Sequence, residues 1–246
     1  MDIRALLLQF ALEEEVETVL APRELLDGHI NKTFVLTVKT RSGAQRRYLL
    51  QKINTFVFRN PAQLMENIRQ VTQYLRAAQS AGQTQGQQTL TVYPTRGGAC
   101  YYEDANGDCW RCYNFVENTF SLQSAQSAQD AYRAAKAFGA FQRLMDGFPI
   151  ARLHETIPDF HHSAKRYDAL ETAVAADSAG RRRLAEAEIA FARKRRADAS
   201  RLLPLAGQSG LPLRVTHNDT KLNNVLFDCE SREPVCVVDL DTVMPG

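Results

Sequence analysis

The segment from His217 to Asp241 constrains the fold of this chain more than any other. His217-Asn218-Asp219-Thr220-Lys221-Leu222-Asn223-Asn224 runs directly into the apolar Val225-Leu226-Phe227. A second apolar run, Val235-Cys236-Val237-Val238, ends at Asp239. Between the runs lies Asp228-Cys229-Glu230-Ser231-Arg232-Glu233-Pro234, a largely polar stretch. Two short β-branched runs joined in this way predict a hairpin. The hairpin would set Asn224, at the mouth of one strand, beside Asp239, at the end of its partner. An isolated H-x-D, or an Asp after a strand, is often only a turn former or a helix cap. The meeting of the two across a hairpin carries the functional reading.

These residue types in this order suit phosphoryl transfer. ATP brings several negative charges, which a divalent cation must neutralise as the bond loosens. Mg²⁺ takes oxygen ligands, usually one or two from protein with phosphates and waters completing the set. Asn224 and Asp239 are the candidate metal ligands. Asp219 is the candidate base, orienting an acceptor hydroxyl and taking its proton. Lys221 is placed to reach the transferring phosphate as a point charge. His217 is expected to prop up the loop backbone. The H-x-D-x-x-x-x-N spacing matches the catalytic loop of kinase-fold enzymes.

The chain of 246 residues is long enough for one large domain or two lobes, and 44% hydrophobic with 24% charged content is globular. A net charge of +2 argues neither for nor against nucleic acid. Ile3, Leu6, Leu7 and Phe10 suggest a short amphipathic helix, too short for a membrane span or a signal. Five cysteines without a secretion signal imply reduced thiols and a cytoplasmic setting. Cys109 and Cys112 are formally C-x-x-C, but on a strand they would face opposite sides. Arg181-Arg182-Arg183 and Arg193-Lys194-Arg195-Arg196 are interspersed with Glu186, Glu188 and Asp198, so they read as solvated helix faces rather than a nucleic-acid surface.

The first third reads as strands with one helix. Phe34 to Val38 and Arg47 to Ile53 flank a Ser42-Gly43-Ala44 turn, and Pro61 opens a helix over Ala62 to Ala78. Strands are expected near 89–93, 100–103 and 110–116, with Asn106-Gly107 as a turn. From Ser124 onward the pattern is helical, over Ala131 to Met145 and then in two helices between Ala164 and Leu203. The predicted fold is therefore α+β and bilobal: a β-rich amino-terminal nucleotide-binding lobe, 1–117, and a helical catalytic lobe, 118–246. Asp27-Gly28-His29-Ile30-Asn31 could lie over phosphates, or Gly28 could be no more than a turn. Lys52 and Glu66 could form an ion pair that positions the α- and β-phosphates, or could be solvated charges.

At these residues the chain resembles the aminoglycoside phosphotransferase and choline kinase superfamily, and within it the N-acetylhexosamine 1-kinases. The resemblance rests on the His217–Asn224 block, on Val238 to Gly246, on Gly28-His29-Ile30-Asn31 and on Leu50 to Asn54. It also takes in Asn60-Pro61, Leu64 to Asn67, Trp110-Arg111, Phe115 to Thr119 and Ile157 to His161. It implies a protein-kinase-like fold, ATP and Mg²⁺ as cofactors, and phosphorylation of the anomeric hydroxyl of an N-acetylhexosamine. By it Asp219 is the base, Asn224 and Asp239 bind Mg²⁺, and Lys52 contacts ATP. The segment Phe115-Val116-Glu117 becomes the adenine-side connector, and His29 reaches the acceptor sugar. Asn218 stands where many members have glycine. Members continue beyond the metal-binding Asp into helices that complete the acceptor pocket, so the resemblance implies a helical lobe cut short at Gly246. An aminoglycoside or choline-like acceptor is the alternative. Ten Lys/Arg against eight Asp/Glu over 151–200 count mildly against a polycation. A third reading is a catalytically silent nucleotide-binding fragment.

Overall fold

A computed structural model describes residues 2–26, 30–84, 86–199, 201–205 and 211–246. Gly28 and His29, two of the expected site residues, lie outside the described residues. The chain is α+β and bilobal, with a sheet-rich amino-terminal region and a helical carboxy-terminal region, as the sequence predicts. By contacts it divides into two compact units, one of residues 1–156 with 215–245, the other of 157–214 with Gly246.

In the first unit, helix α1 (Ile3–Leu7) precedes strands β1 (Val16–Val19), β2 (Arg23–Leu25), β3 (Lys32–Thr40) and β4 (Gln45–Lys52). Helix α2 (Pro61–Ser80) follows, then β5 (Val92–Tyr93), β6 (Tyr102–Glu103) and β7 (Cys109–Asn114). These strands form one antiparallel sheet in the order β1-β3-β4-β7-β5, with β2 also on β3 and β6 also on β7. Strands β1 and β2 share one edge of β3 and were absent from the sequence reading. Their residues alternate apolar and charged too briefly to stand out.

The period-two alternation of the central strands gives the sheet two different faces. Phe34, Leu36, Val38, Tyr48, Leu50, Trp110 and Cys112 make one buried face, on which Leu6, Leu7 and Phe10 of the amino-terminal segment pack. Leu6 and Leu7 are fully buried, worth about 1.5–3 kcal/mol each in apolar transfer. The opposite face presents Thr33, Leu49, Gln51, Arg111 and Tyr113. In α2, Pro61 occupies the first turn and the Asn60 side chain accepts from the Gln63 N–H over 3.1 Å, a cap worth about 1 kcal/mol. Leu64, Met65, Ile68, Val71 and Leu75 are its buried stripe.

The rest of this unit comprises β8 (Thr119–Ser121), α3 (Ala128–Leu144) and, later in the chain, β9 (Val215–Thr216), β10 (Val225–Asp228), β11 (Pro234–Val237) and β12 (Met244–Pro245). The predicted hairpin is β10–β11, with Val225 opposite Val237. The free edge of β10 is taken by β8. Beneath it α3, capped by Ser127, contributes Ala134 and Ala137 to a core with Val225 and Phe227. Strands β9 and β12 pair with each other, Thr216 opposite Met244.

Among its described residues the second unit holds the α-helices Ser163–Ala176, Glu186–Lys194 and Arg196–Ala199. Arg193 grips Glu171 through two bonds, and Arg196 pairs with Asp168. The basic run of 193–196 is thus partly spent on ion pairs between helix faces. Among the described residues, no helix is long and apolar enough to cross a membrane.

Candidate active site

The hairpin delivers its two ends as expected. The Val238 N–H donates to the Asn224 carbonyl over 2.9 Å, so Asn224 and Asp239 sit at adjoining chain positions across the β10–β11 pair. His217 holds the loop to the same strand end. Its Nδ1 accepts from the Asp219 N–H over 3.3 Å, while Nε2 lies 2.9 Å from the Val238 carbonyl. Only a neutral imidazole protonated at Nε2 can make both bonds. Burial lowers the His217 pKa, favouring that neutral form, and the rings of Phe138 and Phe141 pack edge-on around it. The expected backbone-propping geometry is present.

Asn218 adopts φ 61, a left-handed conformation. Glycine takes it freely, and asparagine tolerates it better than most residues. The Asn218 amide donates to the carbonyls of Thr216 (3.2 Å) and Thr242 (3.0 Å), bracing the loop against the turn after Asp239. The departure from glycine therefore keeps the backbone shape and adds side-chain bonds.

Asp219 is flanked by its expected neighbours. Its Oδ2 accepts from Lys221 Nζ over 2.8 Å and from Asn224 Nδ2 over 3.1 Å, and its carbonyl takes a second bond from Nδ2 over 2.9 Å. With its nitrogen committed to Asp219, Asn224 has its side-chain oxygen to offer a hard cation. Asp239 has φ 58 and ψ 59, a strained conformation for a non-glycine residue of the kind that collects at functional sites. Its carboxyl is pushed up to about 6, first by burial and then by the Asp241 carboxylate, against the opposing charges of Arg111 and Lys221. A half-buried carboxylate so disfavoured, together with the Asn224 amide oxygen, is a donor set that Mg²⁺ would satisfy. Among the described residues no group of three or more His, Cys, Asp or Glu could hold a metal. The two-ligand set suits a cation that arrives with phosphate oxygens.

Lys221, Asn224 and Asp239 line a cavity of about 280 Å³ together with Asn31, Thr33, Gln51, Arg111 and Tyr113. Leu25, Leu49, Leu90 and Leu226 make its apolar part, a lining suited to a planar base. Lys52 and Glu66 are not among the lining residues, and the ion pair expected between them is not formed. Lys52 lies one residue beyond Gln51, on the face of β4 that carries Leu50, and pairs with Asp108 over 2.6 Å. Glu66 pairs with His154 over 2.9 Å, while the preceding Met65 is the α2 side chain that meets Arg111. Each expected partner misses by one position, and in a strand one position is the opposite face.

Arg111, which the sequence reading did not single out as a site residue, lines the cavity that Lys52 does not. It is 1% exposed and donates to both oxygens of Asp241, at 2.5 and 2.9 Å, and from Nε to Gln51 at 3.0 Å. Asn31 lines the cavity, but its side chain is used up in bracing. Nδ2 donates to Asp241 over 2.6 Å and Oδ1 accepts from the Asn54 N–H over 2.9 Å. Of the connector, Val116 is buried, Phe115 lies under the Arg47 guanidinium at 4.1 Å, and Glu117 pairs with Arg47. None of the three lines the cavity, which they adjoin in sequence through Tyr113.

Comparison with known proteins agrees with the fold. The chain covers its full length against the crystal structure of an aminoglycoside phosphotransferase from Alicyclobacillus acidocaldarius, at 17% identity and a TM-score of 0.55, spanning 68% of that protein. It covers 98% of its length against the AMP-bound spectinomycin phosphotransferase, at 13% identity and a TM-score of 0.50, spanning 69% of that protein. These likenesses are ones of fold. The family model described as the phosphotransferase enzyme family matches residues 22–246, nearly the whole chain, and the chain belongs to that family.

Proposed function

We propose that this chain transfers the γ-phosphoryl group of ATP to a hydroxyl of a small acceptor, with Asp219 as base. The observation that carries the reading is that Lys221, Asn224 and the strained, half-buried Asp239 line one cavity, while Asp219 is bonded to both Lys221 and Asn224. Asp219 would orient the acceptor O–H and take its proton as the new O–P bond forms and ADP departs. Lys221, on the cavity wall, would leave Asp219 for a phosphate oxygen when nucleotide is present. Mg²⁺, held by Asn224 and Asp239, would supply the charge that neutralises the phosphate oxygens.

The relatives with known structures, an aminoglycoside and a spectinomycin phosphotransferase, support an aminoglycoside-type acceptor. A second reading, the anomeric hydroxyl of an N-acetylhexosamine, is supported by the motif resemblance around Leu50 to Asn54 and Val238 to Gly246. Both acceptors present a ring hydroxyl close to an amino or amido substituent. Acceptor-dependent ADP release, measured with Mg²⁺·ATP and spectinomycin, kanamycin, N-acetylglucosamine, N-acetylgalactosamine or choline, separates them. Release driven by one acceptor class identifies the substrate. Absence of release with all five, in a preparation that binds ATP, would favour a silent nucleotide-binding role instead.

A further inference from the structure

We propose that Arg111 and Asp241 are positioning residues that set Asp239 for the cation–nucleotide complex, a role that presupposes the phosphoryl-transfer reading above. Arg111 sits on the cavity face of β7, opposite Gln51 of β4. Its side chain and that of Asp241 are both only 2% exposed. The Asp241 carboxylate accepts three N–H bonds, two from Arg111 and one from Asn31, and its carbonyl accepts from Thr156 Oγ1 over 2.9 Å. Behind Arg111, Gln51 accepts from the guanidinium and donates to Thr33 over 2.8 Å. A continuous set of bonds thus runs from the cavity floor on β3, β4 and β7 into the turn Leu240–Thr242, immediately after Asp239.

Stability alone is a poor explanation for this pair. Two ions removed from water pay a desolvation cost that a well-packed apolar pair avoids, so a buried ion pair is weak evidence for stability. The bonds fix direction instead. A two-pronged guanidinium–carboxylate contact sets both distance and plane, which a lysine would not do. Asp241 follows Asp239 by two residues, so fixing its carboxylate fixes the turn that points Asp239 at the cavity. The same bonds take Asp241 out of contention as a metal ligand, since its oxygens are already engaged. Asp239 is left as the carboxylate of this turn that a cation can claim.

The test is binding, read apart from turnover. Mn²⁺ affinity is measured by electron paramagnetic resonance in the presence of a non-hydrolysable ATP analogue, for the wild-type chain and four variants. Arg111→Lys and Asp241→Asn should weaken Mn²⁺ binding roughly 10- to 100-fold, the usual loss when a group that orients a ligand is removed. Arg46→Ala, at an exposed pair with Glu14, should stay within about twofold. Arg111→Met combined with Asp241→Leu replaces both ions by apolar groups and should melt no lower than wild type while showing the same loss of Mn²⁺ binding. If that double variant, or a folded Arg111→Lys, binds Mn²⁺ and the analogue as tightly as wild type, the positioning role is overturned and the phosphotransferase reading stands. If the wild-type chain itself binds no Mn²⁺–analogue complex, the phosphotransferase reading fails, and the positioning role with it.

Discussion

His217 Nε2 lies 2.9 Å from the carbonyl of Val238, joining the loop that carries Asp219 to the strand end that delivers Asp239. Nδ1 of the same ring accepts from the Asp219 N–H, so the two bonds are made together only while the imidazole is neutral.

This bridge makes stability depend on pH with a definite sign. The folded His217 pKa is lowered by burial, so below about pH 6.5 the unfolded chain binds the proton more readily than the folded one. Its contribution is present above that pH and is lost as pH falls towards the folded value. The raised Asp239 pKa acts in the opposite direction but is common to both chains in a comparison with His217→Gln. Thermal melts at pH 7.5 and pH 5 should show wild type losing more stability over the interval than His217→Gln. Parallel losses would remove His217 from this role.

Asn218 tests how the loop keeps its shape. At φ 61 a β-branched or alanine side chain costs about 1–2 kcal/mol, and each lost amide bond about 0.5–1.5 kcal/mol net. Asn218→Gly loses the bonds but not the conformation, so it should lie between wild type and Asn218→Val in denaturant midpoint. If Asn218→Val were the more stable of the two variants, backbone strain would not govern this position.

The one-position offsets at β4 and α2 have a direct consequence for nucleotide binding. Gln51 faces the cavity and supports Arg111, whereas Lys52 faces Asp108. Gln51→Leu should therefore weaken ATP binding by isothermal titration more than Lys52→Met does. The reverse order would restore Lys52 to the site.

The sequence revealed some parts of the site and hid others for physical reasons. The hairpin and its two polar ends were legible because register follows from short apolar runs, and a single turn sets it. The α2 helix was legible from Pro61 and the stripe Leu64, Ile68, Val71, Leu75. Lys52 and Glu66 were the natural charged pair to choose, but the choice depended on which face of a strand and of a helix each occupied. An error of one residue reverses the first. Arg111 was hidden because its partner Asp241 is 130 residues away, and a lone arginine in the strand Cys109–Asn114 gives no local sign of burial. The signal that could have found it was the same alternation, since an arginine between Trp110 and Cys112 must face away from the buried core that holds both.

The division of labour between Asp219 and Asp239 is the centre of this account, and one paired experiment tests it most directly. Mn²⁺·ATP affinity and saturated turnover are measured side by side for wild type, Asp219→Asn and Asp239→Asn, with the acceptor that supports the greatest ADP release. Asp219→Asn should bind Mn²⁺·ATP nearly as wild type does while turnover falls about 10²- to 10⁴-fold, the usual contribution of a positioned base. Asp239→Asn should lose metal–nucleotide affinity first. An Asp219→Asn chain that loses nucleotide binding yet keeps wild-type turnover at saturation would contradict the account.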